Sequence, residues 1–144
     1  MPTPTPSPKI AVIIPFFQRK CGVLARSLAS IAAQNYPPEV LYILIIDDGS
    51  PLPAEQELRD HPPAPELNIR VLHQANAGPN EARNTGLTHL EPDTKLVAYL
   101  DSDDEWIGNH LLRAVLCLSL GYSAYFANLF HLGDSANEFD KAKL

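Results

Sequence analysis

Apolar residues fall along this chain in short unbroken runs separated by polar turns, and the spacing within each run assigns its element. Residues 10–14 (IAVII) form a continuous, largely β-branched run stopped by Pro15, which predicts a strand buried on both faces. Leu24, Leu28 and Ile31, with Ala25, Ala29 and Ala32 beside them, recur at helical spacing and predict a helix over about residues 22–34. Residues 40–46 (VLYILII) predict a second buried strand, ended by Asp47-Asp48-Gly49-Ser50, and residues 69–73 a third. Gly78-Pro79 opens a helix with proline at its first position, running to about Leu90. Residues 96–100 (LVAYL) predict a fourth strand, and residues 107–120 a helix whose apolar face is Leu111, Leu112, Val115 and Leu118. Residues 124–130 are a candidate fifth strand, and no internal repeat is visible.

Alternating strands and helices with buried strands predict the α/β class: a mostly parallel sheet with flanking helices. Ligands of such sheets bind at the carboxyl ends of the strands, near the point where strand order reverses. The four segments following the strands are Pro15-Phe16-Phe17-Gln18-Arg19, Asp47-Asp48-Gly49-Ser50, Gln74-Ala75-Asn76-Ala77-Gly78 and Asp101-Ser102-Asp103-Asp104-Glu105. Six of the 17 acidic residues lie in the second and fourth of these, so the predicted site is acidic.

Composition narrows the picture. A chain of 144 residues is long enough for one domain that buries roughly two-thirds of its unfolded surface. A 45% hydrophobic share with 19% charge excludes wholesale disorder, and no apolar run approaches the ~20 residues of a membrane-spanning helix. Residues 1–8 carry no basic and apolar signal segment. A net charge of -6 argues against a general nucleic-acid binder. Cys21 and Cys117 match no zinc spacing and read as free thiols of a cytoplasmic protein. Proline, at 14 residues, is nearly twice its ~5% usage. The alternating Pro2, Pro4, Pro6 and Pro8 predict an extended, disordered leader over 1–8. Pro51, Pro53, Pro62, Pro63 and Pro65 bracket a loop-rich region with at most one short helix, residues 54–59. The organisation expected is therefore a leader (1–8), one domain (9–131) and a polar tail (132–144).

The carboxylates of Asp101, Asp103, Asp104 and Glu105 would repel one another. A hard divalent cation with substrate phosphates relieves that; an acidic first turn of a helix is the plainer alternative. Asp47-Asp48-Gly49-Ser50 reads either as a turn or as a binding element in which Asp48 accepts a base N–H. Of Phe16 and Phe17, one is expected in the core and an exposed one would stack on a nucleobase. Arg83 is either a solvated charge or a partner for the acidic loop or a phosphate. The five histidines show no metal spacing, and neither a Gly-x-Gly-x-x-Gly nor a Walker A motif is present. A receiver-like signalling domain needs a lysine at a later strand end, and none occurs between Lys95 and Lys141.

With these residues in place the chain resembles the family-2 glycosyltransferases, with the GT-A (Rossmann-like) nucleotide-sugar-binding fold, from Lys9 to Phe130. The matching stretches are Val12-Ile13-Ile14-Pro15-Phe16-Phe17, Ser27-Leu28-x-Ser30-Ile31-x-x-Gln34-x-Tyr36-Pro37, Ile45-Ile46-Asp47-Asp48-Gly49-Ser50, Asn76-x-Gly78-x-x-x-Ala82-Arg83-Asn84-x-Gly86-Leu87 and Tyr99-Leu100-Asp101-Ser102-Asp103-Asp104-Glu105-Trp106. The resemblance implies inverting, metal-dependent transfer of a sugar from a nucleotide donor, usually a UDP-sugar, to a saccharide or lipid-linked acceptor, with Mn²⁺ or Mg²⁺. It implies a nucleotide-sugar site at Pro15, Phe16, Phe17, Asp48, Asn76, Arg83, Asp101 and Ser102. Within it Phe17 stacks on uracil, Asp48 recognises the base, Asp101 faces the ribose, and Asp103 holds the metal that bridges the diphosphate. Gln18 stands where the family commonly has asparagine, a departure expected to weaken nothing essential. The family's catalytic base lies far downstream of the Asp-x-Asp motif, and none of the 38 residues after Trp106 matches it. Glu138 and Asp140 are not assigned that role. The chain thus looks like the nucleotide-binding part of a transferase in truncated form, without a transmembrane segment and with peripheral membrane association left open. The alternative is a non-catalytic nucleotide- or partner-binding module of the same fold.

Overall fold

The computed structural model describes residues 6–127. Four strands, β1 (Ile10–Phe16), β2 (Leu41–Asp47), β3 (Asn68–His73) and β4 (Leu96–Tyr99), alternate with α1 (Val23–Ala32), α2 (Ala54–Asp60), α3 (Pro79–Thr88) and α4 (His110–Ser119). The strands pair parallel throughout, in the order β3-β2-β1-β4. The chain therefore builds outward from β1 through β2 to β3 and then crosses back to place β4 on the other side of β1. That reversal puts the loops after β1 and β4 side by side, where parallel sheets hold their ligands.

The two central strands are buried at every residue, whereas β3 and β4, at the edges, are half-exposed. This is why the central runs are apolar throughout and β3 (NIRVLH) is not. Alternation divides the core between the two faces of the sheet. Ala11 and Ile13 of β1 and Tyr42, Leu44 and Ile46 of β2 join Ala82 of α3, with Leu72, Leu90 and Val97 packed on them. The opposite parity, Ile10, Val12, Ile14 and Phe16, is buried on the other face.

Gly86 sets how closely α3 lies on β1. A Cβ there would stand 2.7 Å from Ile13 Cγ2, so only glycine permits this approach.

Several boundaries differ from those the sequence predicts. Pro15 does not stop β1, which runs two residues further to Phe16. The Ile13 carbonyl accepts Leu100 N–H on the β4 side, so Pro15, two residues on, faces that same side, where β4 has already ended. Its missing N–H is not needed there. The last helix begins at His110 rather than 107, because Gly108 holds φ 62, a left-handed turn that breaks the expected run. Ile107 is left exposed, and on α4 Leu111 is buried while Leu112, expected on the apolar face, is exposed. Residues 124–127 form no strand, and the rest of the expected fifth strand, residues 128–130, lies outside the described residues. Most of the leader and the whole tail, with Glu138 and Asp140, also lie outside them; Pro8 offers its carbonyl to the Tyr36 hydroxyl at 2.7 Å. The chain divides into two compact units, Met1–Gly108 and Asn109–Leu144. No helix among the described residues is long and apolar enough to cross a membrane.

Candidate functional site

At the end of β1 the three residues expected to meet a base separate by burial. Pro15 and Phe16 are buried in strand and core, and Phe17 is the ring that reaches solvent, 42% exposed. Its ring has the Arg19 guanidinium 5.9 Å from its centroid, within range of a cation–π contact. Gln18 then ties the loop down: its N–H donates to Ser50 Oγ at 2.9 Å, and Ser50 Oγ donates back to the Gln18 carbonyl at 3.0 Å.

The two aspartates ending β2 do different work. Asp47 Oδ1 accepts Ser50 N–H at 2.8 Å and Oδ2 accepts Ala54 N–H at 2.9 Å, closing the turn and capping the start of α2. Asp48 gathers the segment after β3. Oδ1 accepts Gln74 Nε2 at 2.7 Å and Ala77 N–H at 2.8 Å; Oδ2 accepts Gly78 N–H at 2.9 Å and Asn76 Nδ2 at 3.3 Å. Asn76 Nδ2 also donates to the Asp48 carbonyl at 2.9 Å. A buried carboxylate just before the first turn of α3 suits the helix dipole. The Asp-Gly pair is thus a turn, as its composition allowed, and Asp48 also holds the segment that starts α3.

The acidic segment after β4 is not a bare cluster of charges. Arg83 donates to Asp101 Oδ1 at 2.7 Å and to Asn80 Oδ1 at 2.9 Å. Arg26 lies 3.6 Å from Glu105. Asp104 N–H closes a turn onto the Asp101 carbonyl at 3.0 Å. Ser102 is buried, and Asp103 is exposed with no partner among the described residues. Two of the four carboxylates, Asp101 and Glu105, are thus met by arginines, while the Asp103 carboxylate is left facing solvent. Arg83, of the two readings open for it, is the partner of the acidic loop.

Among the described residues, three potential ligands come within reach of one ion at Asp47, Glu55 and His73, a set that short-range spacing could not reveal. His73 Nε2 and Glu55 Oε1 lie 2.5 Å apart, and His73 Nδ1 is 3.8 Å from Asp47 Oδ2. The hydrogen bond to Glu55 holds the imidazole above its usual pKa against the effect of burial. For Glu55, burial acts upward, but the bond to His73, a backbone hydrogen bond and the nearby charges of His73 and Arg59 together leave the carboxyl below its usual value. These groups serve one another and the α2 cap, and the strand-pairing register Asp47↔His73 brings them together.

Two clefts, about 270 and 440 Å³, lie beside α1, lined by residues such as Tyr36 and Leu67 in one and Ala29 and Pro63 in the other. Neither includes a residue of the strand-end loops. The candidate site is thus an open sheet edge carrying an exposed ring, a braced carboxylate turn and an exposed acid.

The pattern of glycosyl transferase family 2 matches residues 11–143 of this chain. The succinoglycan biosynthesis protein ExoW of Rhizobium meliloti is 45% identical over 106 residues, 74% of this chain and 33% of that protein. The minor teichoic acid biosynthesis protein GgaA of Bacillus subtilis is 31% identical over 102 residues, 70% of this chain and 23% of its own length. Among solved structures, S. aureus TarS 1–349 in complex with UDP-GlcNAc aligns with a TM-score of 0.64 at 26% identity, covering 78% of this chain and 31% of that one. The mannosyltransferase PcManGT from Pyrobaculum calidifontis, in complex with GDP-Man and Mn²⁺, aligns with the same TM-score at 25% identity, covering 78% and 32%. The chain spans about a third or less of the length of these relatives. The parallel sheet with flanking helices is the GT-A fold of those structures, and by sequence pattern and fold together the chain belongs to glycosyl transferase family 2.

Proposed function

We propose that this chain supplies the donor-binding part of an inverting glycosyltransferase and holds a nucleoside diphosphate-sugar, by preference a UDP-sugar, across the carboxyl ends of β1, β2 and β4. The observation that carries the reading is the strand order. It brings the exposed Phe17 ring, the Asp48 turn and the Asp101–Asp103 segment to one edge at the point of reversal. Phe17 offers the base a stacking face. Asp48, whose two oxygens already accept four hydrogen bonds, acts on the base by fixing the loop that borders it. Asp101, steadied by Arg83, faces the ribose, while Arg83 has spent two of its five donors on Asn80 and Asp101 and turns the rest toward the diphosphate. Pro15, Phe16, Asn76 and Ser102 shape the site from beneath.

Asp103 fits a metal role because it is exposed and unpartnered, and Mg²⁺ or Mn²⁺ is commonly held by one or two carboxylates plus substrate phosphates. Bound there, the cation would act as a Lewis acid that stabilises charge on the departing diphosphate. The relatives support the class of donor and differ in its base: the TarS complex holds UDP-GlcNAc and the PcManGT complex GDP-Man with Mn²⁺. A saccharide or lipid-linked acceptor completes the proposed reaction, and no residue described here is assigned as its base. Two unpaired thiols, Cys21 and Cys117, suit a reducing cytoplasm. A second reading is a nucleotide-binding module of the same fold without transfer, in keeping with strand-end groups that bind and position and with no base assigned among the described residues.

Titration calorimetry with UDP and GDP, with and without Mn²⁺, tests the proposal. UDP is expected to bind more tightly than GDP and to gain affinity from Mn²⁺, and Asp103→Ala to remove that gain. An Mn²⁺-independent affinity, or a gain that survives Asp103→Ala, would overturn it. Sugar transfer or donor hydrolysis by this chain above the rate without protein separates the two readings.

A further inference from the structure

The acidic loop that carries Asp101 and Asp103 has little structure of its own, and what holds it is a set of polar side chains from elsewhere. Ser27 of α1 is fully buried, with its Oγ 2.8 Å from the Ser102 carbonyl and 2.6 Å from the Asp104 carbonyl. One turn on, Ser30 Oγ accepts Trp106 N–H at 3.0 Å and donates to the Ser27 carbonyl at 2.7 Å. From the β1 side, Gln18 Nε2 donates to Ser102 Oγ at 2.9 Å. The loop is thus gripped at Ser102, Asp104 and Trp106, on either side of Asp103.

Serines 27 and 30 lie on the same buried side of α1 as Leu24, Leu28 and Ile31. A helix that only had to fill a core would carry apolar side chains there, because a buried hydroxyl must recover its lost hydration in hydrogen bonds. These hydroxyls recover it from the acidic loop. The Ser27 hydroxyl has one proton and two carbonyls in range, so it serves one at a time while drawing both toward α1. With the carbonyls of Ser102 and Asp104 drawn inward, the residue between them is displayed outward, and Asp103 is exposed. Gln18 adds a link of a different kind. Its backbone is locked to Ser50 and it follows Phe17, so its side chain joins the base-facing loop to the acidic loop.

We infer that Ser27, Ser30 and Gln18 are positioning residues that fix Asp103 relative to Phe17, so that the metal-diphosphate end and the base end of the site act as one unit. The inference rests on the donor-site reading above. It gives a role to the Ser27-x-x-Ser30 pattern of α1, and it makes Gln18 a working part of the site.

The test is the Mn²⁺-dependent gain in UDP affinity, read as the ratio of Kd without and with the ion, in wild type, Ser27→Ala and Gln18→Leu. Urea denaturation of each variant is followed alongside. Gln18→Leu keeps much of the side chain's bulk and removes its amide, including the donor to Ser102, and it sits at a half-exposed position, so it carries the test even where Ser27→Ala folds poorly. The expected result is a gain reduced about tenfold, the affinity equivalent of one net hydrogen bond, with an unchanged urea midpoint for Gln18→Leu. A gain equal to that of wild type in the folded variants overturns the inference and leaves the donor site standing. A loss shared equally by metal-free and metal-bound affinity, with a lowered midpoint, overturns it in favour of a folding role. Absence of any gain in wild type overturns the donor-site reading itself, and this inference with it.

Discussion

Replacing Asp48 with asparagine removes one charge and one acceptor oxygen from a site where every direction is occupied. The carboxylate receives the N–H groups of Ala77 at 2.8 Å and Gly78 at 2.9 Å, one on each oxygen, together with the amides of Gln74 and Asn76. Asparagine has a single oxygen to offer. Whichever way its amide turns, an NH₂ group faces one of the two backbone N–H groups, and neither can rotate away. The loss combines a charge-assisted hydrogen bond with a buried donor left without an acceptor, about 2–4 kcal/mol. At a urea slope of ~2 kcal/mol per M this lowers the unfolding midpoint by about 1–2 M, measured by far-UV circular dichroism. Asp103→Asn makes the same chemical change at an exposed, unpartnered carboxylate and is expected to stay within about 0.5 kcal/mol of wild type. An Asp48→Asn midpoint as close to wild type as that of Asp103→Asn would refute the role assigned to Asp48.

Gly86→Ala places a methyl 2.7 Å from Ile13 Cγ2 and 2.9 Å from its Cδ1, in a fully buried part of the core. Overpacking of about 1–3 kcal/mol exceeds the ~1 kcal/mol gained in helix propensity, so the melting temperature falls; an unchanged or higher one contradicts the close packing of α3 on β1. The His73–Glu55 pair gives stability a pH window. His73 is raised above 6.5, so its contribution is full below that value and is lost as pH rises through the raised pKa. Glu55 is lowered below 4.5, so its contribution is full above that value and is lost as pH falls through the lowered pKa. Urea midpoints across this range are expected to flatten in His73→Ala, and profiles of identical shape would sink the assignment. Phe17→Ala weakens UDP binding by ~1–3 kcal/mol while Phe17→Tyr preserves it, by calorimetry; an alanine variant that binds as wild type removes the stacking role.

Much of this fold can be read along the chain because β1 and β2 are covered on both faces, so their runs are apolar at every residue. The assignment of Phe16 to the core was open to the same reading, since it shares parity with Ile10, Val12 and Ile14. What could not be read depends on neighbours that sequence spacing does not name. Pro15 stays in its strand because β4 ends before reaching it, and Gly108 breaks a helix that composition alone would have begun at Ile107. The site divides in the same way. Asp48, Arg83, Asp101 and Asp103 announce themselves by type and by their place after strands. Ser27, Ser30 and Gln18 matched a pattern or departed from one, and only distances across 75 or more positions give them work. The Asp47–Glu55–His73 group is likewise a product of strand register. Carboxylate clustering pointed to an ion at the acidic loop, and what it could not show is that Arg83 and Arg26 take two of the four charges, Asp101 and Glu105.

Paramagnetic broadening of amide resonances by Mn²⁺, recorded on ¹⁵N-labelled protein in the presence of UDP, tests the central claim most directly. The account predicts broadening centred on the amides of residues 101–105 and reaching Phe17 and Gln18 across the gap between β1 and β4, abolished by Asp103→Ala. Broadening centred instead on Asp47, Glu55 and His73, or spread without a centre, would contradict a metal and nucleotide site at the reversal of the strand order.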